Sequence, residues 1–375
     1  MRAPCAGNRW RSWCESSAWD RGAFPCPGSQ HGAGCGGGAG AVLIEADRGE
    51  RALATGRWVK WIGGASNQDL AAIEDLAGIY ALAGVHCVDV AADAAVVAAA
   101  RRGLAWAEAR GASRPWLMIS LSDGEDPHFR KAWFAPDHCP PGCSRPCERV
   151  CPALAITAST GVIAERCYGC GRCLPACPLG LIEERGQALA ADSVAPLLRQ
   201  LQPDAVELHT QPGRQLAFRQ RLEQVRASGV PLRRLAVSAP AELGAAELWQ
   251  RFGALRRLGF RPLWQLDGRP MSGDVGDGTA RAAVALLVRR RRRLPPGPLQ
   301  LAGGTNRRSL AQLQRHGADA GHCAGVAFGG VARRLLQPLL LQSQARAVSL
   351  LQAADLWPLA LAQARELVTP WLERC

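Results

Sequence analysis

Eight of the chain's fifteen cysteines fall between Cys139 and Cys177, and each half of that run closes on Cys-Pro. The second half reads Cys167-Tyr-Gly-Cys170-Gly-Arg-Cys173-Leu-Pro-Ala-Cys177-Pro178. Its spacing, C-x2-C-x2-C-x3-C-P, is the run that binds iron–sulfur clusters in bacterial ferredoxins. The first half is Cys139, Cys143, Cys147 and Cys151-Pro152, with three residues in every gap. Soft thiolates on a tight, Gly-punctuated turn suit an iron–sulfur cube, because that chemistry selects sulfur ligands. Structural zinc also takes four cysteines, usually as two separated C-x2-C pairs. Eight cysteines with two Cys-Pro endings fit the cluster reading better and point to single-electron chemistry.

In two-cluster ferredoxins the fourth cysteine of each run crosses to the other cluster. That pattern predicts Cys139, Cys143, Cys147 and Cys177 around one 4Fe-4S cluster. Cys167, Cys170, Cys173 and Cys151 would hold the other. The extra residue in each gap of the first run loosens the turn that aims its sulfurs, so a 3Fe-4S first cluster stays open. Pro140, Pro141 and Pro146 stiffen that loop by fixing φ. Residues 153–156 and 161–163 read as a short apolar hairpin packed against the clusters.

The chain has 375 residues, 48% hydrophobic and 21% charged, enough for one large domain or two. No apolar run approaches the eighteen or so residues that span a bilayer, and no secretory h-region opens the chain. Cysteines grouped as ligands instead of spread as a disulfide framework point to a reducing cytoplasm. The net charge is +13, and among the bases only Lys60 and Lys131 are lysines. The arginine run 289–293 ends a predicted helix at 280–288, where cations complement the dipole, so no nucleic-acid partner is expected.

Residues 1–45 are rich in Gly, Arg, Trp and Ser and lack either period, which predicts a disordered or upstream start-site extension. Cys5, Cys14, Cys26 and Cys35 there match no metal spacing. The fragment 34–40 precedes a possible strand, whereas a phosphate fingerprint follows one. From residue 57 short apolar runs alternate with helical stretches. The predicted strands are 58–63, 86–90, 116–121, 205–209, 235–238, 262–266, 299–302 and 325–328. Helices are predicted at 68–83, 92–110, 218–227, 243–258, 309–316 and 332–341.

Eight such units predict a parallel (β/α)8 TIM-like barrel. Its first part covers 46–125 and its second 189–344. The cysteine module, 126–188, is inserted after the third strand, over the C-terminal mouth where barrel chemistry is built. Residues 345–375 read as closing helices broken at Pro358 and Pro370.

The seventh strand ends in Gly303-Gly304-Thr305-Asn306 and the eighth in Gly329-Gly330, each opening a helix. Loops in those two places often form the phosphate site of a barrel, and paired glycines let backbone approach an anion. Such glycines also serve plain tight turns. The occupant these six residues would take is flavin mononucleotide or another phosphorylated ligand. Glu207 and His209, two apart on one strand, share a face; they read equally as acid/base groups or as hydrogen-bonded core polars. Asp267 and Arg269 read as a site pair or a loop-fixing pair. Asp89 and Asp93 flank the second strand, Asp93 as easily an N-cap. Lys60 is expected near the barrel's end, although buried lysines can be reactive. No Ser-His-Asp order, HExxH or Walker motif occurs, so catalytic residues stay unassigned.

Laid out in this order, the segments resemble the cyanobacterial light-dependent-period (LdpA) family of iron–sulfur circadian-input proteins. The likeness covers about 55–340. It rests on Lys60-Trp-Ile-Gly-Gly-Ala-Ser66, Val88-Asp-Val-Ala-Ala-Asp93, the stretch from Trp116 to Lys131, the cysteine module, Asp267-Gly-Arg-Pro-Met-Ser-Gly273 and Leu301-Ala-Gly-Gly-Thr-Asn306. The x3 gaps of the first run are also similar to that family's pattern. The resemblance implies cluster ligation by the eight module cysteines and redox sensing relayed to clock-input and oscillator proteins. A quinone or small electron carrier is a further candidate partner. The competing class is an oxidoreductase barrel fed through the insert.

Overall fold

The computed structural model describes residues 47–186, 189–268 and 276–374. Cys5, Cys14, Cys26, Cys35, the fragment 34–40 and Arg269 lie outside the described residues.

The chain opens with α1 (Arg48–Thr55), then runs β1 (Trp58–Gly64), α2 (Leu70–Leu82), β2 (Cys87–Ala91), α3 (Ala94–Glu108) and β3 (Trp116–Ser122). The insert follows: β4 (Arg130–Trp133), α4 (Pro146–Arg149), β5 (Ile156–Thr157), β6 (Gly161–Val162), α5 (Cys173–Ala176) and β7 (Glu183–Gly186). The second half adds α6 (Val194–Leu201), β8 (Ala205–His209), α7 (Gln215–Ala227), β9 (Arg234–Ser238), α8 (Ala245–Arg257) and β10 (Pro262–Asp267). It closes with α9 (Ala280–Arg290), β11 (Leu299–Ala302), α10 (Ser309–Gln314), β12 (Cys323–Phe328), α11 (Gly330–Ala345) and α12 (Trp357–Leu372).

Eight strands form a closed barrel in the order β1-β12-β11-β10-β9-β8-β3-β2, each pair parallel. The predicted (β/α)8 barrel with its insertion after the third strand is the fold observed. Every residue of β2, β3 and β8 is buried, the mark of parallel strands covered on both faces. Asp69 and Asp93 start α2 and α3 by accepting backbone N–H bonds from Ala72 and from Ala95 and Val96. Asp93 is therefore a cap.

Side chains pointing into the barrel stack in layers. The bottom layer is apolar: Trp58, Cys87, Met118, Ala205, Ala236 and Leu263 pack against Ala52 and Leu53 of α1, which plugs the N-terminal end. The middle layer, usually bulky and branched, is polar instead, with Lys60, Asp89, Glu207, Gln265 and Gln300 buried.

Helix α1 has no counterpart in the sequence reading, although Asp47 with Glu50 and then Gly56, in the left-handed region, spell out its two ends. The expected break at Pro370 does not occur: α12 runs through it as one helix, and Pro358 sits in its first turn, where a missing N–H costs nothing. Pro338 likewise lies inside α11, which extends past the predicted 332–341 at both ends.

Candidate functional site

Strands β4 and β7 pair antiparallel, Arg130 opposite Gly186, and so tie together the two ends of the insert. The expected hairpin forms, with Ile156 opposite Val162. Gly169 takes a left-handed φ of 70°, and a methyl there would overlap the Arg130 carbonyl. The turn between Cys167 and Cys170 is thus pinned to β4 by a position only glycine fills comfortably.

All eight module cysteines are free thiols. Cys139 lies within electrostatic reach of Cys143, Cys147 and Cys177, and Cys147 also within reach of Cys177. Cys151 lies with Cys167, Cys170 and Cys173. The fourth sulfur of each run thus neighbours the other run. Burial, then the Cys170, Cys167 and Cys151 sulfurs, push the Cys173 thiol up to about 12. Burial also works against the Cys177 thiolate, but the backbone N–H groups of Leu181, Leu179, Gly180 and Ile182 hold that thiol below its ordinary value. Ala132 N–H donates to Cys167 Sγ at 3.3 Å and Ala155 N–H to Cys151 Sγ at 3.2 Å. Quartets of soft donors with N–H bonds onto sulfur fit a thiolate-held iron cluster, not a hard cation.

Beneath the insert, the barrel mouth holds a cavity of about 150 Å³. Its floor is the polar layer. Lys60 Nζ bonds Asp89 Oδ2 at 2.8 Å and also Glu207 Oε2. Burial disfavours the Lys60 charge, but Asp89 and Glu207 overcome it and hold its pKa above the ordinary lysine value. Lys60 is therefore fully buried in mid-barrel, not at an end; one carboxylate from the adjacent β2 and one reaching across the barrel from β8 make that tolerable.

Burial raises the Asp89 carboxyl, whereas Glu207 is pulled down against its own burial by Lys60 and His209. His209 Nε2 lies 3.1 Å from Glu207 Oε1. Its burial opposes charge, but Glu207 and Asp126 lift it to about 9, so the ring is an imidazolium. Asp126 also takes His128 Nδ1 at 2.7 Å, and the His128 and His209 ring centroids are 4.6 Å apart.

Burial, then Glu207, raises Asp267 to about 6. Gln300 donates to Gln265 at 2.8 Å, Gln265 to Glu207, and Trp58 Nε1–H to Gln300, so one chain of bonds crosses the barrel. Glu207, His209, Asp89 and Asp267 all line the cavity, and the first three are also buried. Such clustering of perturbed groups in a cleft marks candidate functional sites.

The cavity's opposite wall contains Gly303, Gly304, Thr305, Gly329 and Gly330. Asn306 is directed elsewhere: its amide donates to Thr279 Oγ1 and Asp277 O, both at 3.1 Å. Thr305 Oγ1 donates to the Ala327 carbonyl. Both side chains thus brace the loop. Tyr168, from the turn between Cys167 and Cys170, and Arg333, from the first turns of α11, complete the wall. Neither was anticipated, nor were Ser120, His128 and Gln265. Arg333 did leave a trace in the sequence, as a cation just after Gly-Gly at a helix N-terminus, where the dipole disfavours it.

A (β/α)8 barrel carrying two cysteine quartets over its C-terminal mouth is a barrel protein with a ferredoxin-type insert. Residues 139–188 match the LdpA Fe-S cluster-binding domain, and residues 197–370 the Light dependent period A C-terminal domain. The chain is 49% identical over 322 residues to Light dependent period A of Synechococcus elongatus, covering 83% of this chain and 91% of that one. The chain belongs to the Light dependent period A family.

Among solved structures it is similar to a putative fructose-1,6-biphosphate aldolase from Coccidioides immitis, 12% identical over 86% of this chain and 94% of that one, with a TM-score of 0.39. A type I 3-dehydroquinate dehydratase from Clostridium difficile gives 8% identity, 81% and 92% coverage and a TM-score of 0.36. No helix among the described residues is long and apolar enough to cross a membrane.

Proposed function

We propose that this protein is an iron–sulfur redox sensor whose cluster state reports light-dependent electron status to clock-input and oscillator proteins. The observation that carries this reading is the pairing of two four-cysteine sets, with the fourth sulfur of each run exchanged, over a barrel mouth. Cys139, Cys143, Cys147 and Cys177 would hold one cluster; Cys151, Cys167, Cys170 and Cys173 would hold the other. Bound clusters would supply one-electron exchange with a small carrier or a quinone. The surrounding residues transmit the change in charge: Lys131 Nζ, set among Cys167, Glu165 and Asp93, also donates at 2.5 Å to Gln68 of the barrel. Kinship with Light dependent period A supports the clock-input assignment.

The test is anaerobic purification, with iron and sulfide counted, followed by partner binding before and after dithionite reduction. Binding that shifts with reduction is the expected result; identical binding in both states removes the sensor reading. A buried acid–base layer directly below the insert favours the second reading, an oxidoreductase fed through the clusters. Flavin bands in the anaerobic spectrum would support it.

A further inference from the structure

Arg333 is 8% exposed, and its Nη1 has no hydrogen-bond partner. Its Nη2 donates to the Gly63 carbonyl and its guanidinium lies 4.0 Å from the centre of the Tyr168 ring. Among the described residues no carboxylate reaches it. A buried cation with an unused donor is costly unless a counter-charge arrives. The cavity it lines receives two other sources of positive potential. One is the N-terminus of α11, a sixteen-residue helix whose first turn has no side-chain cap. The other is the loop at Gly303 and Gly304 on the same wall, with φ of 62° and 89°, where the missing Cβ atoms let backbone N–H groups come close to an anion. Three independent features converge on one wall.

We infer that this wall binds the phosphate of a small phosphomonoester. Its polar remainder, a hydroxyl or carbonyl group, faces His209, Asp267 and Glu207 on the opposite side. A carboxylate could meet Arg333 alone, but an arginine, a capless helix N-terminus and a glycine loop together match a tetrahedral dianion with several acceptors. The size of the cavity sets the remainder: about 150 Å³ is well below the roughly 300–1,000 Å³ of drug-sized pockets, which favours a small metabolite over flavin mononucleotide. Tyr168 roofs the site, so the occupant would touch the insert and the barrel together.

The experiment uses the full-length, iron-loaded protein under anaerobic conditions, with inorganic phosphate and glycerol phosphate as calorimetric probes. Saturable one-to-one binding is expected, tighter for glycerol phosphate. Arg333→Met should weaken it at least about tenfold, and Arg333→Lys by less. Should Arg333→Met fail to fold, Gly329→Ala decides. Its added methyl would sit 3.6 Å from Ile62, an ordinary contact, yet would narrow the anion's approach. No binding by wild-type protein at about 10 mM probe, or unchanged binding in the decisive variant, overturns the site. Flavin mononucleotide displacing glycerol phosphate would overturn the small-ligand assignment. Iron content and visible spectrum, read on the same samples, report separately on the clusters.

Discussion

The barrel and its insert are stabilised by different chemistry. In the barrel, strands and helices bury aliphatic and aromatic side chains almost without exposure, among them Trp58, Trp61, Trp264 and Phe328. Each such side chain contributes roughly 1.5–3 kcal/mol by leaving water. The insert's small core is Ala132, Phe134, Ala155, Ile156 and Ile182 together with Cys147, Cys167 and Cys173. Its regular elements span two to four residues each. A unit with so little apolar area leans on bonds from sulfur to an inorganic centre, as small metal-dependent domains do. The barrel needs no such help, and can therefore keep a charged layer in its middle.

The largest expected effect follows directly. Stripping iron with a chelator should abolish amide-exchange protection across 130–186 while the barrel strands keep theirs. Loss of protection in both regions together, or in neither, would erase the distinction. Gly169→Ala should do the same by sequence, because its left-handed φ and the Arg130 carbonyl leave no room for a methyl. Iron content should fall sharply with the barrel's melting little moved.

Within the barrel, Lys60→Met leaves Asp89 and Glu207 without their shared cation and should cost about 3–5 kcal/mol in denaturant unfolding. Adding Glu207→Gln should restore part of that loss. The His209 pKa is raised from 6.5 to about 9, so its stabilising contribution is complete below pH 6.5 and disappears as pH rises through about 9. Roughly 3 kcal/mol of barrel stability should vanish over that window. Glu207→Gln should flatten the profile, and a slope that survives it would remove the pair as the cause. The smallest effect is Gly103→Ala, where a methyl would overlap the Glu74 carbonyl between α2 and α3. Overpacking of that kind costs about 1–3 kcal/mol and should leave iron content untouched.

Much of this architecture was legible in one dimension. Each barrel strand is a short apolar run, and α1, α2 and α3 each start at an aspartate that caps them, so both register locally. The cysteine runs are covalent spacings and needed no fold to be seen. The site was legible only in part. Glu207 and His209 stand together because they share a strand, and the Gly pairs because they follow two strands. Lys60 was misplaced, since nothing near it in the chain tells of Asp89 or Glu207. Tyr168 read only as a spacer between ligands, and Arg333 only as one residue of the predicted helix 332–341.

What the order of residues settled was the kind of element at each place and the sulfur chemistry between 139 and 177, because periodicity and spacing act over a few residues. Barrel closure settled the rest. Pairing β1 with β2 and closing the barrel so that β8 faces them across its interior makes a lone lysine into a buried three-charge cluster, and folding the insert over the mouth lays Tyr168 across Arg333. Those groups meet only through long-range packing, and their protonation states depend on the low-dielectric surroundings that packing creates.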